Sequence, residues 1–449
     1  MEIADKKEPL FLFLGDVAAF YLALWAMLLL RYGKLPDEGV LALHLAPFSF
    51  LFAVWVVVFF IAGLYEKHTA FFKSRLPSVI LNAALVNAGL AVLFFYYIPT
   101  FGITPKTNLF LYLVISFALI VLWRLYGTRF LGARKRENAI LIGGGEEMRE
   151  LRDEVNENAR YSLRFTSVID LDAAGSIDFK RDVLDKIAAE QVSSVVIDIT
   201  NEKIGPMLPR LYELIFKSVR FFDMHKVYEE IFDRVPLSLV RHNWFLENIS
   251  SSSVTAYDVL KRIMDITIGA VLGVLSLALY PFVILALKLD DGGPAFSRQT
   301  RIGRGGRPIT IVKFRTMTLA NDEGEWGKVE NKVTRVGAFL RKSRIDELPQ
   351  LWNVLKGDIS LIGPRPEFPR AVREYNEKIP YYNVRHLIEP GLSGWAQLYH
   401  ERHPHHGVDV EETKNKLSYD LYYIKNRSLM LDIAIALKTM KTLLQRAGR

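Results

Sequence analysis

Four long apolar runs open the chain, at residues 9–30, 41–64, 76–98 and 108–126. Each approaches the roughly 20 residues that a helix needs to cross a bilayer. In lipid a backbone must satisfy its own hydrogen bonds, so runs of this length are restricted to helices. The sequence therefore predicts four transmembrane helices rather than buried helices of a soluble core. The opening, MEIADKKEPLF, has no signal-peptide cleavage pattern and is expected to be kept as part of the first membrane segment. Half of the 449 residues are hydrophobic, in keeping with this reading.

Charges between the runs set the orientation. Lys6, Lys7, Lys67, Lys73, Arg75, Arg124, Arg129, Arg134, Lys135 and Arg136 fall on one side, against Arg31, Lys34 and Lys106 on the other. The positive-inside rule puts the first group, and with it residue 131 onward, in the cytoplasm. The chain has no cysteine, which excludes disulfides, thiolate metal sites and cysteine nucleophiles.

Residues 138–145, NAILIGGG, read as a strand ending in a glycine turn, followed by the helical stretch EEMRELRDEV. Further strand-like runs, RFTSVID and SSVVIDIT, cover 164–170 and 193–200. Alternating strand and helix predict a parallel, Rossmann-like α/β unit. The Gly143-Gly144-Gly145 turn could hold a phosphate at a helix N-terminus. A full dinucleotide fingerprint needs a further glycine where Met148 stands, so a structural or regulatory module is favoured.

A serine-rich stretch, ENISSSSVTAY from Glu247, marks a boundary, and a fifth apolar run covers 263–287. Crossing the membrane there would place the next segment outside. That segment, 298–344, holds twelve Lys or Arg against four Asp or Glu. Pro281 interrupts the run, removes a helical hydrogen bond and favours a kink. A re-entrant helix at about 262–288, dipping into the cytoplasmic leaflet and returning, is expected. Three domains follow: a four-helix membrane domain at 1–131, a Rossmann-like domain at 132–246 and a catalytic α/β domain at 247–449. Residues 414–440 read as amphipathic helix that could lie on a membrane surface, pack on the catalytic domain, or do both.

The +8 charge of the basic segment favours an anionic partner. Directly after it, in LRKSRIDELPQLWNVLKGDISLIGPRPE from Leu340, comes the adjacent pair Asp346 and Glu347. Neighbouring carboxylates repel, which raises one pKa and suits proton handling. A carboxylate can also attack phosphorus. The plainer reading is an acidic pair at a helix N-terminus. Lys313 and Arg315, in KFRTM, follow a strand-like ITIV run and are placed to meet phosphate oxygens. Arg365 sits between two prolines, and a stiffened guanidinium fork suits phosphate recognition. Asp358 and Glu367 are candidate supporting or metal-partner carboxylates. Mg²⁺, an oxygen-seeking ion, could bridge Asp346 or Glu347 to a diphosphate.

This block, with KFRTM at 313–317 and GLSGWAQ at 391–397, resembles the bacterial polyprenyl-phosphate sugar-1-phosphate transferases over roughly residues 255–449. The resemblance implies transfer of a sugar 1-phosphate from a UDP-sugar to undecaprenyl phosphate, with release of UMP, to start an exopolysaccharide, capsule or O-antigen repeat. It implies that Asp346 carries a covalent phosphosugar, that Arg341 holds the lipid phosphate, and that the helix broken at a proline is re-entrant. The localisation it implies is the bacterial inner membrane, with the catalytic domain in the cytoplasm. The partners so implied are a UDP-sugar, undecaprenyl phosphate and the bilayer, with a homodimer as an open arrangement and no nucleic acid. Two stretches depart from the common pattern: HERHPHH at 400–406, read as a loop, and Arg427, where many relatives carry Trp. Two alternatives remain. A membrane-anchored nucleotide-sugar dehydratase would use the Tyr-xxx-Lys spacing of Tyr257 and Lys261; a membrane scaffold would not need Asp346.

Overall fold

The computed structural model describes residues 7–65, 76–98, 106–127, 136–158, 161–173, 180–216, 219–249, 255–318, 332–399 and 409–447. They form two compact units, Met1–Glu137 with Val155–Arg164, and Asn138–Glu154 with Phe165–Arg449.

The first unit holds α1 (Lys7–Tyr32), α2 (Glu38–Ile61), α3 (Leu76–Tyr97) and α4 (Lys106–Tyr126). All four are long and apolar enough to cross a membrane. Their outward faces keep large apolar residues exposed, such as Leu22, Phe50, Leu85 and Phe110, as lipid contact requires. Inside, the rings of Phe48, Phe52, Trp55 and Tyr112 pack together with centroids 5.0 to 6.1 Å apart. Arg124, read above as a flanking cation, is buried and paired with Asp16 of α1. Tyr65 donates to the same carboxylate at 2.8 Å, and Arg124 donates to the Leu64 carbonyl at 2.6 Å. Complete pairing is what makes a buried charge tolerable.

After α4 the chain forms a four-stranded sheet of β1 (Glu137–Gly143), β2 (Leu163–Asp170), β3 (Ser194–Ile197) and β4 (Arg220–Asp223), in the order β2-β1-β3-β4. β1 runs parallel to β3, with Leu141 beside Val196, and β3 runs parallel to β4. The continuous apolar run Ala139–Ile142 is fully buried, as expected of a strand covered on both faces. Helices α5 (Gly145–Glu157), α6 (Asp185–Ala189), α7 (Leu208–Ile215) and α8 (Met224–Phe232) alternate with the strands. The glycine turn between β1 and α5 is filled from within. Gly145 N–H donates to Asp172 at 2.8 Å, and a Cβ on Gly144 would lie 2.6 Å from the same carboxylate.

The short α9 (His242–Asn248) leads to α10 (Thr255–Leu277) and α11 (Tyr280–Asp291), which are bent by 55° to one another. Pro281 stands in the first turn of α11. Its ring would meet the carbonyl four residues earlier, at Leu277, and Leu277 is where α10 ends. Exposed apolar side chains line both arms, including Val274, Leu275, Phe282 and Leu289.

The remainder comprises the antiparallel hairpin β5 (Phe296–Ile302) and β6 (Pro308–Phe314), then α12 (Arg335–Ser343) and α13 (Gln350–Lys356). After these come β7 (Ser360–Ile362), α14 (Pro369–Lys378), β8 (Gly391–Ser393), α15 (Trp395–Tyr399), α16 (Val410–Lys425) and α17 (Leu429–Ala447). β7 and β8 pair in parallel. The amphipathic stretch at 414–440 forms two helices, separated at Asn426-Arg427-Ser428. The Ser428 hydroxyl accepts Leu431 N–H at 3.3 Å, and its carbonyl accepts Asp432 N–H, so this residue starts a new helix. Val235, Val240 and Trp244, from the segment expected to close the α/β domain, pack with Ala371, Tyr375, Leu417 and Leu421. Trp395 donates to the Asp233 carbonyl at 2.9 Å and Lys425 pairs with Glu229 at 2.6 Å.

Candidate active site

Local sequence explains how the acidic pair is presented. Thr334 caps α12, its hydroxyl accepting Gly337 N–H at 2.9 Å. The helix stops at Arg344, which adopts a left-handed φ of 57°. Asp346 and Glu347 then sit in a single 3₁₀ turn, Ile345–Glu347, before Pro349 starts the approach to α13. The pair thus lies at a sharp joint between two helices rather than on the first turn of a longer one. Arg341, in the last turn of α12, donates from Nε to the Thr316 hydroxyl at 2.9 Å.

The two carboxyls are pushed in opposite directions. Asp346 is 6% exposed, and its Oδ1 has no hydrogen-bond partner among the described residues. Burial first, and then the charge of Glu347, raise it to about 6, against the pull of Lys313, Arg344 and Arg341. Burial also acts upward on Glu347, but the charges of Arg365 and Arg344 hold it below the usual carboxylate range. Its Oε1 lies 3.0 Å from Arg344 and 3.5 Å from Arg365. Two neighbouring acids with separated proton affinities can take different roles.

Cations surround the pair. Lys313, at the end of β6, is lowered to about 8 by burial and then by Arg301 and Arg341. Arg301, on β5, is lowered to about 10 by burial and then by Arg365. Burial first, and then neighbouring cations, lower both groups, and such a crowded basic cluster suits an anionic ligand. The structure therefore brings together Asp346, Glu347, Lys313, Arg341 and Arg365.

Other expected residues stand elsewhere. Arg315 is buried and paired with Asp291, and also donates to the Pro294 carbonyl at 2.6 Å, which staples β6 to the end of α11. That corrects the expectation that its guanidinium waits at the strand end for phosphate. Asp358 lies past the far end of α13, 3.1 Å from both Asn353 Nδ2 and Lys356 Nζ. Glu367 acts electrostatically on Arg301 and Arg385. Tyr257 and Lys261 both reach Asp432, which is fully buried, at 2.8 and 3.0 Å, with Tyr423 on its other oxygen at 2.7 Å. They join α10 to α17, and so do not serve as a dehydratase pair. The histidine-rich 400–406 stretch lies outside the described residues.

Sequence reasoning missed Arg301, Arg344 and Arg385. Arg344 could have been found from its place two residues before Asp346. The other two act through contacts distant in sequence.

Comparison with known proteins identifies relatives of this chain. The model for a bacterial sugar transferase matches residues 256–446. The chain is 37% identical over 277 residues to a UDP-N-acetylgalactosamine-undecaprenyl-phosphate N-acetylgalactosaminephosphotransferase of Aeromonas hydrophila, covering 59% of this chain and 63%, less than two thirds, of that protein. It is 30% identical over 365 residues to an undecaprenyl-phosphate glucose phosphotransferase of Komagataeibacter xylinus, covering 76% of this chain and 66% of that one. A UDP-glucose:undecaprenyl-phosphate glucose-1-phosphate transferase of Caulobacter vibrioides is 42% identical over 193 residues, which make up 42% of this chain and 71% of that relative. The matched family model and these relatives place the chain in the bacterial sugar transferase family.

Proposed function

We propose that this protein transfers a sugar 1-phosphate from a UDP-sugar to undecaprenyl phosphate, giving undecaprenyl-diphosphate-sugar and UMP, and so initiates synthesis of a surface polysaccharide. The observation that carries this reading is the adjacent pair of buried Asp346 and half-buried Glu347, ringed by Lys313, Arg341, Arg344 and Arg365. In the first step an Asp346 oxygen attacks the sugar-linked phosphorus. An O–P bond to the carboxylate forms, the bond to the bridging oxygen breaks, and UMP leaves with that oxygen. In the second step an oxygen of the lipid phosphate attacks the same phosphorus and the carboxylate is released. Catalysis of this kind rests on positioning and charge neutralisation. Lys313 and Arg365 would meet the diphosphate oxygens, Arg341 the lipid phosphate, and Glu347 would position the acceptor or take its proton.

Two adjacent carboxylates, one with a buried oxygen that lacks a partner among the described residues, fit Mg²⁺, which binds through one or two carboxylates and substrate phosphates. Asp346 and Glu347 would hold it, and it would neutralise diphosphate charge. The bent pair α10 and α11 is read as re-entrant, entering and leaving the cytoplasmic leaflet of the inner membrane. The parallel α/β segment is read as a Rossmann-like module.

The test is UMP release by detergent-purified protein with Mg²⁺ and undecaprenyl phosphate, across a panel of UDP-sugars. Release with one donor is expected; its absence with every nucleotide-sugar, in folded protein, would overturn the reading. Because the chain has no cysteine, one introduced at Arg307 reports orientation. Labelling from the cytoplasmic face alone is expected, and labelling from outside would refute the re-entrant reading.

A further inference from the structure

The segment Pro364-Arg365-Pro366-Glu367 is held at four successive carbonyls. Gly391 N–H donates to Pro364 O at 2.9 Å, and Ile302 N–H to Glu367 O at 2.9 Å. Between them, two guanidiniums take the middle carbonyls. Arg385 donates from Nη2 to Arg365 O at 3.0 Å, and Arg301 from Nη1 to Pro366 O at 3.2 Å. Each guanidinium is fixed in turn. Arg385 is buried, 2.9 Å from Asp420 of α16, and bonded to the Tyr382 hydroxyl. Arg301 lies over the Phe368 ring, 3.4 Å from its centroid, and donates to Gln299 at 3.0 Å. Glu367 is charge-coupled to both. The prolines contribute no amide donors and restrict φ on both sides of Arg365. A segment so restrained has little freedom of its own, while its one cationic side chain reaches toward Glu347.

We propose that Arg385 and Arg301 are positioning residues that grip the backbone at two successive carbonyls, those of Arg365 and Pro366, and so aim the Arg365 guanidinium at the substrate phosphates. This rests on the functional reading above. Lysine cannot reproduce such a grip, because its ammonium is a point donor where the guanidinium fork engages a carbonyl, a carboxylate and a hydroxyl together.

A double-mutant cycle separates positioning from general support. Arg385→Ala would leave Asp420 buried without its partner and could unfold the protein, so Arg385→Lys, which keeps the charge, is used. Per folded protein, kcat/KM is expected to fall about tenfold in Arg385→Lys and about a hundredfold in Arg365→Ala. The double variant is expected to fall no further than Arg365→Ala alone, within about twofold. Losses that multiply, or full activity in Arg385→Lys, would overturn the proposal. If wild type transfers nothing, the functional reading fails, and hydrogen exchange then decides the clamp without any substrate. Faster exchange at the Gly391 and Ile302 amides in Arg385→Lys and Arg301→Lys supports it, and unchanged exchange overturns it.

Discussion

Replacing Asp346 by Asn is expected to make the protein more stable and inactive at once. The wild-type carboxyl is raised from 3.8 to about 6 by burial and by Glu347. A group whose folded pKa exceeds its unfolded value favours the folded state while protonated, and that contribution is lost as pH rises through the folded pKa. Wild type therefore loses stability between about pH 4 and pH 6, while Asn, which never ionises, does not. At 1.36 kcal/mol per unit the difference reaches about 3 kcal/mol at pH 8 and shrinks toward zero near pH 4. Thermal unfolding in detergent is expected to show a midpoint a few degrees higher for Asp346→Asn at pH 8, with the gap closing on acidification. Transfer is expected to fall at least about a thousandfold, the scale of nucleophile loss. In wild type, kcat/KM is expected to drop below about pH 6 as the attacking carboxylate becomes protonated. A variant that is less stable at pH 8, or that retains transfer, would refute the assignment of Asp346 as a desolvated nucleophile.

Lys261→Ala is expected to cost about 3 to 5 kcal/mol, because it leaves Asp432 buried and uncompensated; unfolding midpoints compared with Lys261→Ala/Asp432→Ala measure it, the double variant being the milder. Gly337→Ala would place a Cβ 2.1 Å from the Thr316 carbonyl oxygen, so α12 must shift. A stability loss of about 1 to 3 kcal/mol is expected, with transfer reduced because Thr316 also holds Arg341. Chelation is expected to abolish transfer and added Mg²⁺ to restore it; UMP release with and without the ion checks this.

The parts that sequence made legible were those with a local signal. The four long apolar helices follow from length and hydropathy alone, and their observed ends lie within a few residues of the apolar runs. β1 and β3 were readable because strands buried on both faces are continuous apolar runs. β4 was not, since RFFD has four residues, mixed polarity and no flanking turn. The acidic pair was visible as composition, yet its 3₁₀ joint depends on Arg344 turning left-handed, which an arginine does not announce. Arg315 was misplaced because its partner, Asp291, is 24 residues away across the end of α11. The Arg301 and Arg385 contacts to the segment after Pro364 link positions 65 and 20 residues apart, which no periodicity encodes.

Arg344 places two demands on one position. Its left-handed backbone is a conformation that glycine adopts without steric penalty, whereas an L side chain is disfavoured there by roughly 1 to 2 kcal/mol. Its guanidinium is at the same time a direct partner of Glu347. Selection for expression or heat resistance alone would therefore enrich glycine at 344 and discard the charge. A library screened in that way would drift toward well-behaved, poorly active protein, so any campaign to improve this chain has to score turnover in the same round as yield.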